Sequence, residues 1–458
     1  MAILDFLIHK SVKQLSICIR LLLGIYLFFA HFIPAYAVDL IDIYKAALYS
    51  DPLYQAAVST RLSQREAIPQ SVAALLPNIS AQANISSNYQ NITQPPLPGQ
   101  PNGISNFQSQ GYNISIRQPL IKVNDWLAVK QANNVGKQAD LTLAAAAQDL
   151  IFRVATAYFN VLSAQDTLRF TQAEKIAESR QLNQAQKRVQ VGLDALTSVY
   201  EAKAAYDKSL AEEISAENTL RNNQEALREL TGQTYSSIKC LIKKVPLQTP
   251  QPENIEDWIN AATQHNLKLM AARYGVEITR ENIKMQASEH LPSLSLIGNY
   301  GKTGAFNNVP SPLHENAGTL GLELDVPIFA GGSVSSKTRQ AQYDFQTASA
   351  NLDNTYRLLI ITTRQKYNDI LADISKIKAE QQAIQSAQLS LDSTEKSYKA
   401  GTRTVVDVLI AQQNLYDAKR TAASDQYTYL LDTLLLKQAA GSLKPDDLVQ
   451  INQWLQQI

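Results

Sequence analysis

Cysteine is almost absent from this sequence: Cys18 lies near the start and Cys240 stands alone in the remainder. One cysteine cannot form an internal disulfide, so packing and hydrogen bonds must hold the fold. An excess of one charge is missing too. Lysine plus arginine number 42 and aspartate plus glutamate 41, a balance without the basic surface that a nucleic-acid partner requires. Three of those bases and one acid precede Val38, leaving 39 against 40. Histidine is sparse beyond residue 37, where His265, His290 and His314 lie far apart without the spacing of a metal site. Carboxylates such as Glu174 and Glu178, flanking Lys175, read as residues of a solvated helix face. Gly331-Gly332 lacks the Lys-Ser/Thr of a phosphate loop and reads as a strand-to-helix turn. Nothing assembles into a catalytic constellation, and neither a cofactor nor a metal is expected. The chain does not read as an enzyme.

Long apolar runs are missing after residue 37, so a membrane-spanning chain of this sequence would have to use strands. Before that point a basic start with Lys10, Lys13 and Arg20 leads into the apolar run 21–30 and then Ala35-Tyr36-Ala37. This pattern reads as a signal peptide over 1–37, with export and cleavage before Val38. A membrane anchor is the competing reading, since the apolar stretch approaches about 17 residues. Cys18 precedes that stretch, which argues against a lipid-modified cysteine.

Proline is absent between Pro119 and Pro246 and again between Pro327 and Pro445. Glycine in those stretches is confined to Gly136, Gly192 and Gly232, then Gly331, Gly332, Gly401 and Gly441. With Ala, Gln, Lys, Glu and Leu filling the rest, each stretch predicts two long helices, at 122–190 and 194–231 and at 333–400 and 403–440. The longer ones would reach about 100 Å. Leu150, Val154, Ala157, Val161, Ala164 and Leu168 advance by alternating four and three, as do Ile370, Ile374, Ile377, Gln381, Ile384, Gln388 and Leu391. That period is the coiled-coil signal.

Strands are predicted at 78–90, 110–119, 292–301 and 318–327. From Asn78 to Tyr89 apolar and polar residues alternate, with Ile79, Ala81, Ala83, Ile85 and Tyr89 on one side. Leu320, Leu322, Leu324 and Val326 repeat the pattern. Loops rich in Pro, Gly and Asn separate the strands of each pair. A soluble sandwich with one wet face fits two such hairpins; an outer-membrane wall, apolar toward lipid and polar toward a lumen, fits as well. Four strands are too few to close around a channel, so a barrel would need several chains.

The halves repeat. Gly192-Leu193-Asp194-Ala195-Leu196-Thr197-Ser198-Val199 matches Gly401-Thr402-Arg403-Thr404-Val405-Val406-Asp407-Val408 at an offset of 209, and Leu230-Thr231-Gly232 matches Ala439-Ala440-Gly441 at the same offset. Residues 38–245 and 246–458 are therefore read as two structural repeats.

This order of signal peptide, hairpin and helical pair, repeated once, resembles the TolC family of trimeric outer-membrane channel proteins. The resemblance covers the chain from Tyr44-Lys45-Ala46-Ala47 to Ala440-Gly441, and its most specific block is Tyr398-Lys399-Ala400-Gly401-Thr402-Arg403-Thr404-Val405-Val406-Asp407-Val408-Leu409. The family implies an α+β membrane protein: a homotrimer with a 12-stranded β-barrel in outer-membrane lipid, four strands per chain, continued by a long α-helical coiled-coil barrel in the periplasm. It implies export of small molecules, proteins or both, opened by an inner-membrane efflux pump or ABC transporter with a periplasmic adaptor. It also implies a periplasmic gate, with Tyr398 and Arg403 tying one helical hairpin to another, Thr197 as one partner, and Asp407 in an acidic ring. Ser198 stands where the family's namesake has an aspartate, which leaves Asp194, one turn earlier, as an alternative acceptor. Ile410 replaces a second ring acid. The rival function is a soluble periplasmic coiled-coil scaffold or adaptor.

Overall fold

The computed structural model describes residues 37–93, 103–235, 237–242, 245–306 and 314–456. The expected signal peptide, apart from Ala37, and the two loop tips at 94–102 and 307–313 lie outside these residues. Along the chain the elements are α1 (Leu40–Ser50), α2 (Pro52–Arg65), α3 (Ala67–Ala73), β1 (Asn78–Ile92), β2 (Gly103–Ile121), α4 (Val123–Gln190) and α5 (Leu196–Thr231). The second half carries β3 (Cys240–Leu241), α6 (Ile255–His265), α7 (Leu267–Ser288), β4 (Ser293–Phe306), β5 (His314–Asp325), α8 (Ser333–Lys399), α9 (Val405–Ala439), α10 (Pro445–Asn452) and β6 (Leu455–Gln456).

The long helices end where glycine permits a left-handed residue. Gly192 and Gly401 both have φ 78°, and in each case the next amide reaches back five residues, Leu193 N–H to the Arg188 carbonyl at 2.8 Å and Thr402 N–H to the Ser397 carbonyl at 3.0 Å. That closure satisfies carbonyls the helix itself leaves free. Gly441 after α9 closes in the same way, Ser442 N–H reaching the Lys437 carbonyl at 2.9 Å, while left-handed Gly232 ends α5 with its own amide on the Arg228 carbonyl at 2.7 Å. As expected for a strand-to-helix turn, Gly331 and Gly332 also have positive φ, directly before α8.

The four long strands form one antiparallel sheet in the order β1-β2-β4-β5. Its register places Ile79 opposite Ile116, Ala81 opposite Ile114, Ile114 opposite Tyr300, and Leu296 opposite Leu322. Because successive residues alternate in face, these apolar side chains share one surface with Leu320 and Leu324. The other surface carries Ser80 and Ser115, hydrogen-bonded at 2.7 Å, and the Arg117–Glu323 ion pair at 2.9 Å. Strands β2, β4 and β5 extend several residues farther toward the loop tips than the sequence predicts. Alternation fades there among Gln, Ser, Gly and Asn, while backbone pairing continues.

The short helices were not foreseen. Helices α2 and α3 pack on the upper part of α4 together with α7, while α5 and α9 pack on its lower part; α8 packs on α7, α6 and α9. Asn266 joins an upper helix to a lower one: its side chain caps α7 at Leu269 N–H and donates to the Ala439 carbonyl at the end of α9, 3.0 Å away. A Cβ on Gly441 would overlap the backbone carbonyl of His265, so only glycine lets the two helices meet end to end. At the equivalent junction Asp51 caps α2 through Tyr54 N–H at 2.8 Å and accepts two bonds from Arg153, at 2.8 and 2.6 Å. Each half thus sets one unbroken helix of 68 or 67 residues beside a stacked pair.

A belt around these junctions holds the largest core. Leu40, Ile43, Tyr158, Phe159, Ile370, Leu430, Leu434 and Leu448 are buried together, and Phe159 stacks on Tyr427 with ring centroids 5.8 Å apart. The predicted seam of α4 is buried from Leu150 to Ala164. That of α8 is interrupted: Ile370, Ile374, Ile377 and Leu391 are buried, whereas Gln381 and Gln388 are exposed.

One expectation is overturned. Glu174 and Glu178 do not lie on a solvated face but are buried, with 3% and 6% of their surfaces exposed. Arg420 of α9 donates to Glu174 at 2.6 Å, and Glu178 packs toward Ser209 on α5. Arg420 lies 246 positions from Glu174, and α5 reaches Glu178 only by folding back across the Gly192 turn, so no local pattern reveals either cover.

Candidate functional site

The turns at Gly192 and Gly401 bring the predicted gate residues to one end of the helical wall. Tyr398 lies in the last turn of α8 and is buried to 2% exposure among Val405, Val408, Leu391, Ala185 and Ala202. Its hydroxyl donates to Asp194 Oδ2 at 2.7 Å. This bond joins the α8–α9 hairpin to the α4–α5 turn. The same carboxylate accepts from Arg188 Nε at 2.9 Å and from its terminal nitrogen at 3.4 Å, and the Arg188 guanidinium lies 4.8 Å from the Tyr398 ring centroid. Burial, together with the carboxylate facing the hydroxyl, pushes the Tyr398 phenol up to about 12. Burial works against ionised Asp194, but the bonds from Arg188 and Tyr398 outweigh it and hold its carboxyl below the ordinary range. At neutral pH the tyrosine is a neutral donor and the aspartate a charged acceptor.

The remaining predicted residues are placed differently. Thr197 is exposed and Ser198 half-buried, and among the described residues neither hydroxyl bonds to Tyr398 or Arg403. Arg403 is largely exposed and reaches Asp407 of its own turn at 3.5 Å. Asp407 completes a capping box: Thr404 Oγ1 accepts from Asp407 N–H, while Asp407 Oδ2 accepts from Thr404 N–H at 2.8 Å. Those bonds from Thr404, ahead of the nearby Arg403 charge, keep the Asp407 carboxyl low, so it is ionised at neutral pH. Within one chain Tyr398 and Asp194 are brought together, whereas Arg403 and Asp407 pair locally.

Arg188 escaped the sequence reading. The available signal was an arginine and an aspartate flanking a glycine turn, a spacing too common to single out. Above the tip, a polar cavity of about 230 Å³ between α4, α8 and α9 is lined by Gln181, Gln184, Glu395, Tyr398 and Gln412, and buried Gln181 Nε2 and Gln412 Oε1 have no hydrogen-bond partner. Among the described residues no group of three or more His, Cys, Asp or Glu is arranged to hold a metal ion. No described helix is long and apolar enough to cross a membrane.

Residues 43–233 and 258–442 match the family described as outer membrane efflux protein. The chain belongs to that family. The outer membrane protein TolC of Vibrio cholerae is 40% identical over 420 residues, covering 91% of this chain and 94% of that protein. The proteases secretion protein PrtF of Dickeya chrysanthemi is 27% identical over 430 residues, covering 92% of each. Among solved structures, the outer membrane protein VceC of Vibrio cholerae superposes with a TM-score of 0.74 at 20% identity, over 88% of this chain and 96% of that one. This outer membrane efflux protein is therefore a TolC-like export channel with α+β architecture. It is neither an enzyme nor the soluble scaffold that the helices alone left open, and its helical part extends into the periplasm.

Proposed function

We propose that three copies of the chain close one 12-stranded barrel in the outer membrane, and that the helical hairpins continue it as a periplasmic conduit gated at the Gly192 and Gly401 turns. The observation that carries this reading is the sheet. Strands β1 and β5 are its edges, and one broad face is apolar, with Ile79 68% and Leu320 76% exposed. An apolar face suits hydrocarbon, but free edges do not, because every backbone group there needs a partner. Pairing β5 of one copy with β1 of the next removes every edge, and threefold closure gives a strand number within the known range. The internal duplication supplies each copy with two equivalent wall sections.

Closure at the inner end is assigned to Tyr398 with Asp194, the acceptor that replaces a contact to Thr197 or Ser198. Three copies of Asp407 around one axis would form a negative constriction favouring cations, with Arg403 beside each. A periplasmic adaptor and an inner-membrane efflux pump or ABC transporter would supply the force that opens it, for small molecules, secreted proteins or both. Cross-linking the detergent-extracted protein tests the assembly. A cysteine pair placed on β1 and β5 should give covalent trimers; dimers or monomers alone would refute the shared barrel.

A further inference from the structure

We propose that Arg188 is a positioning residue of the closed tip, holding Asp194 and the Tyr398 ring as one three-member unit. The inference rests on the gate reading above and names a residue which that reading does not use. Arg188 sits in the last turn of α4, on a rigid element, whereas Asp194 follows Gly192 in the short segment before α5. An aspartate in such a connection has several rotamers open to it. The two bonds from Arg188 select the one that presents Oδ2 to the opposite hairpin. That single oxygen then accepts from both Arg188 Nε and Tyr398 hydroxyl, at 2.9 and 2.7 Å.

The guanidinium has a second surface. Its central carbon lies over the Tyr398 ring, 4.8 Å from the centroid, so the tyrosine meets the acid through its hydroxyl and the cation at its face. Only 17% of the Arg188 side chain and 15% of the Asp194 side chain are exposed, which limits screening by salt. Arg403, the arginine singled out by resemblance, is 61% exposed and bonded within its own turn. The tip therefore has two arginines in different settings, and the shielded one touches both members of the inter-hairpin bond. Lysine would restore the charge but not the fork or the flat stacking surface.

Planar-bilayer conductance of the full-length protein, with single and double variants, tests this. Tyr398→Phe removes the inter-hairpin bond and should raise conductance. Arg188→Gln should raise it as well, shifting the closed-to-open ratio by about tenfold, the weight of one charge-assisted hydrogen bond. In the Tyr398→Phe background the second substitution should add little, because members of one unit do not act additively. Arg188→Lys should recover part of the closed state. Two results would overturn the inference while sparing the gate: a wild-type conductance for Arg188→Gln, or effects of the two substitutions that simply add, as for a residue that only stabilises its own turn. Wild-type conductance for Tyr398→Phe would remove both the gate and Arg188's part in it. Far-UV circular dichroism and heat denaturation of each variant separate a lost contact from a misfolded hairpin.

Discussion

Replacing Glu178 by glutamine should stabilise the helical wall, and only above a definite pH. Glu178 is 6% exposed, and one of its carboxylate oxygens has no hydrogen-bond partner. Burial pushes its carboxyl from 4.5 up to about 7, with Glu174 and Glu212 adding to the rise while Ser209 and Lys208 oppose it. Below about pH 4.5 the folded and unfolded chains both hold the proton, and the group costs nothing. Between there and about pH 7 the unfolded chain releases its proton while the folded one keeps it, so stability falls as pH rises. Above about pH 7 both are ionised and the loss is complete. A shift of this size corresponds to about 3 kcal/mol per chain. Glutamine is neutral throughout and similar in shape, so the variant escapes that cost. Heat denaturation in detergent should show little difference near about pH 4 and a gap of a few degrees in favour of glutamine near about pH 8. Asp373, which burial raises to about 6, titrates in both proteins and cancels in the comparison. A gap that does not change with pH, or a wild type more stable than the variant at the higher pH, would refute the reasoning.

Other substitutions probe separate parts of the chain. Gly441→Ala places a Cβ against the His265 carbonyl at a residue with φ 71°; it should destabilise the junction by at least about 2 kcal/mol, read as a lowered denaturation midpoint. Arg153→Met strips the buried Asp51 carboxylate of its bidentate partner and should cost about 3 kcal/mol near neutral pH. Arg153 holds Asp51 below the ordinary carboxylate range, so this penalty shrinks as pH falls through that lowered value, and a constant penalty across an acid titration would count against it. Asp407→Ala should reduce cation selectivity, seen as a shifted reversal potential in a salt gradient; an unchanged potential would remove the acidic ring. Arg403→Ser should change conductance less than Arg188→Gln, because Arg403 pairs within its own exposed turn.

Much of the architecture is legible in the residues themselves. Helix lengths follow from where proline is missing and where Gly192, Gly232, Gly401 and Gly441 permit left-handed closure, since both are local backbone properties. The strands follow from two-residue alternation, strongest near Ile79 and Leu320 and lost toward the loop tips, where pairing continues without a pattern to mark it. Family resemblance placed Tyr398 at the inner tip and left Ser198 and Asp194 both open as acceptors. Only the packed structure put Asp194 under the Tyr398 hydroxyl, beside an arginine that no motif identified. It also buried Glu174 and Glu178, which local sequence presents as an ordinary charged helix face. The physical reason is the same in each case. Backbone conformation is set within a few residues, whereas burial and partnership depend on which distant helix covers a side chain, and Tyr398 and Asp194 are separated by 204 positions.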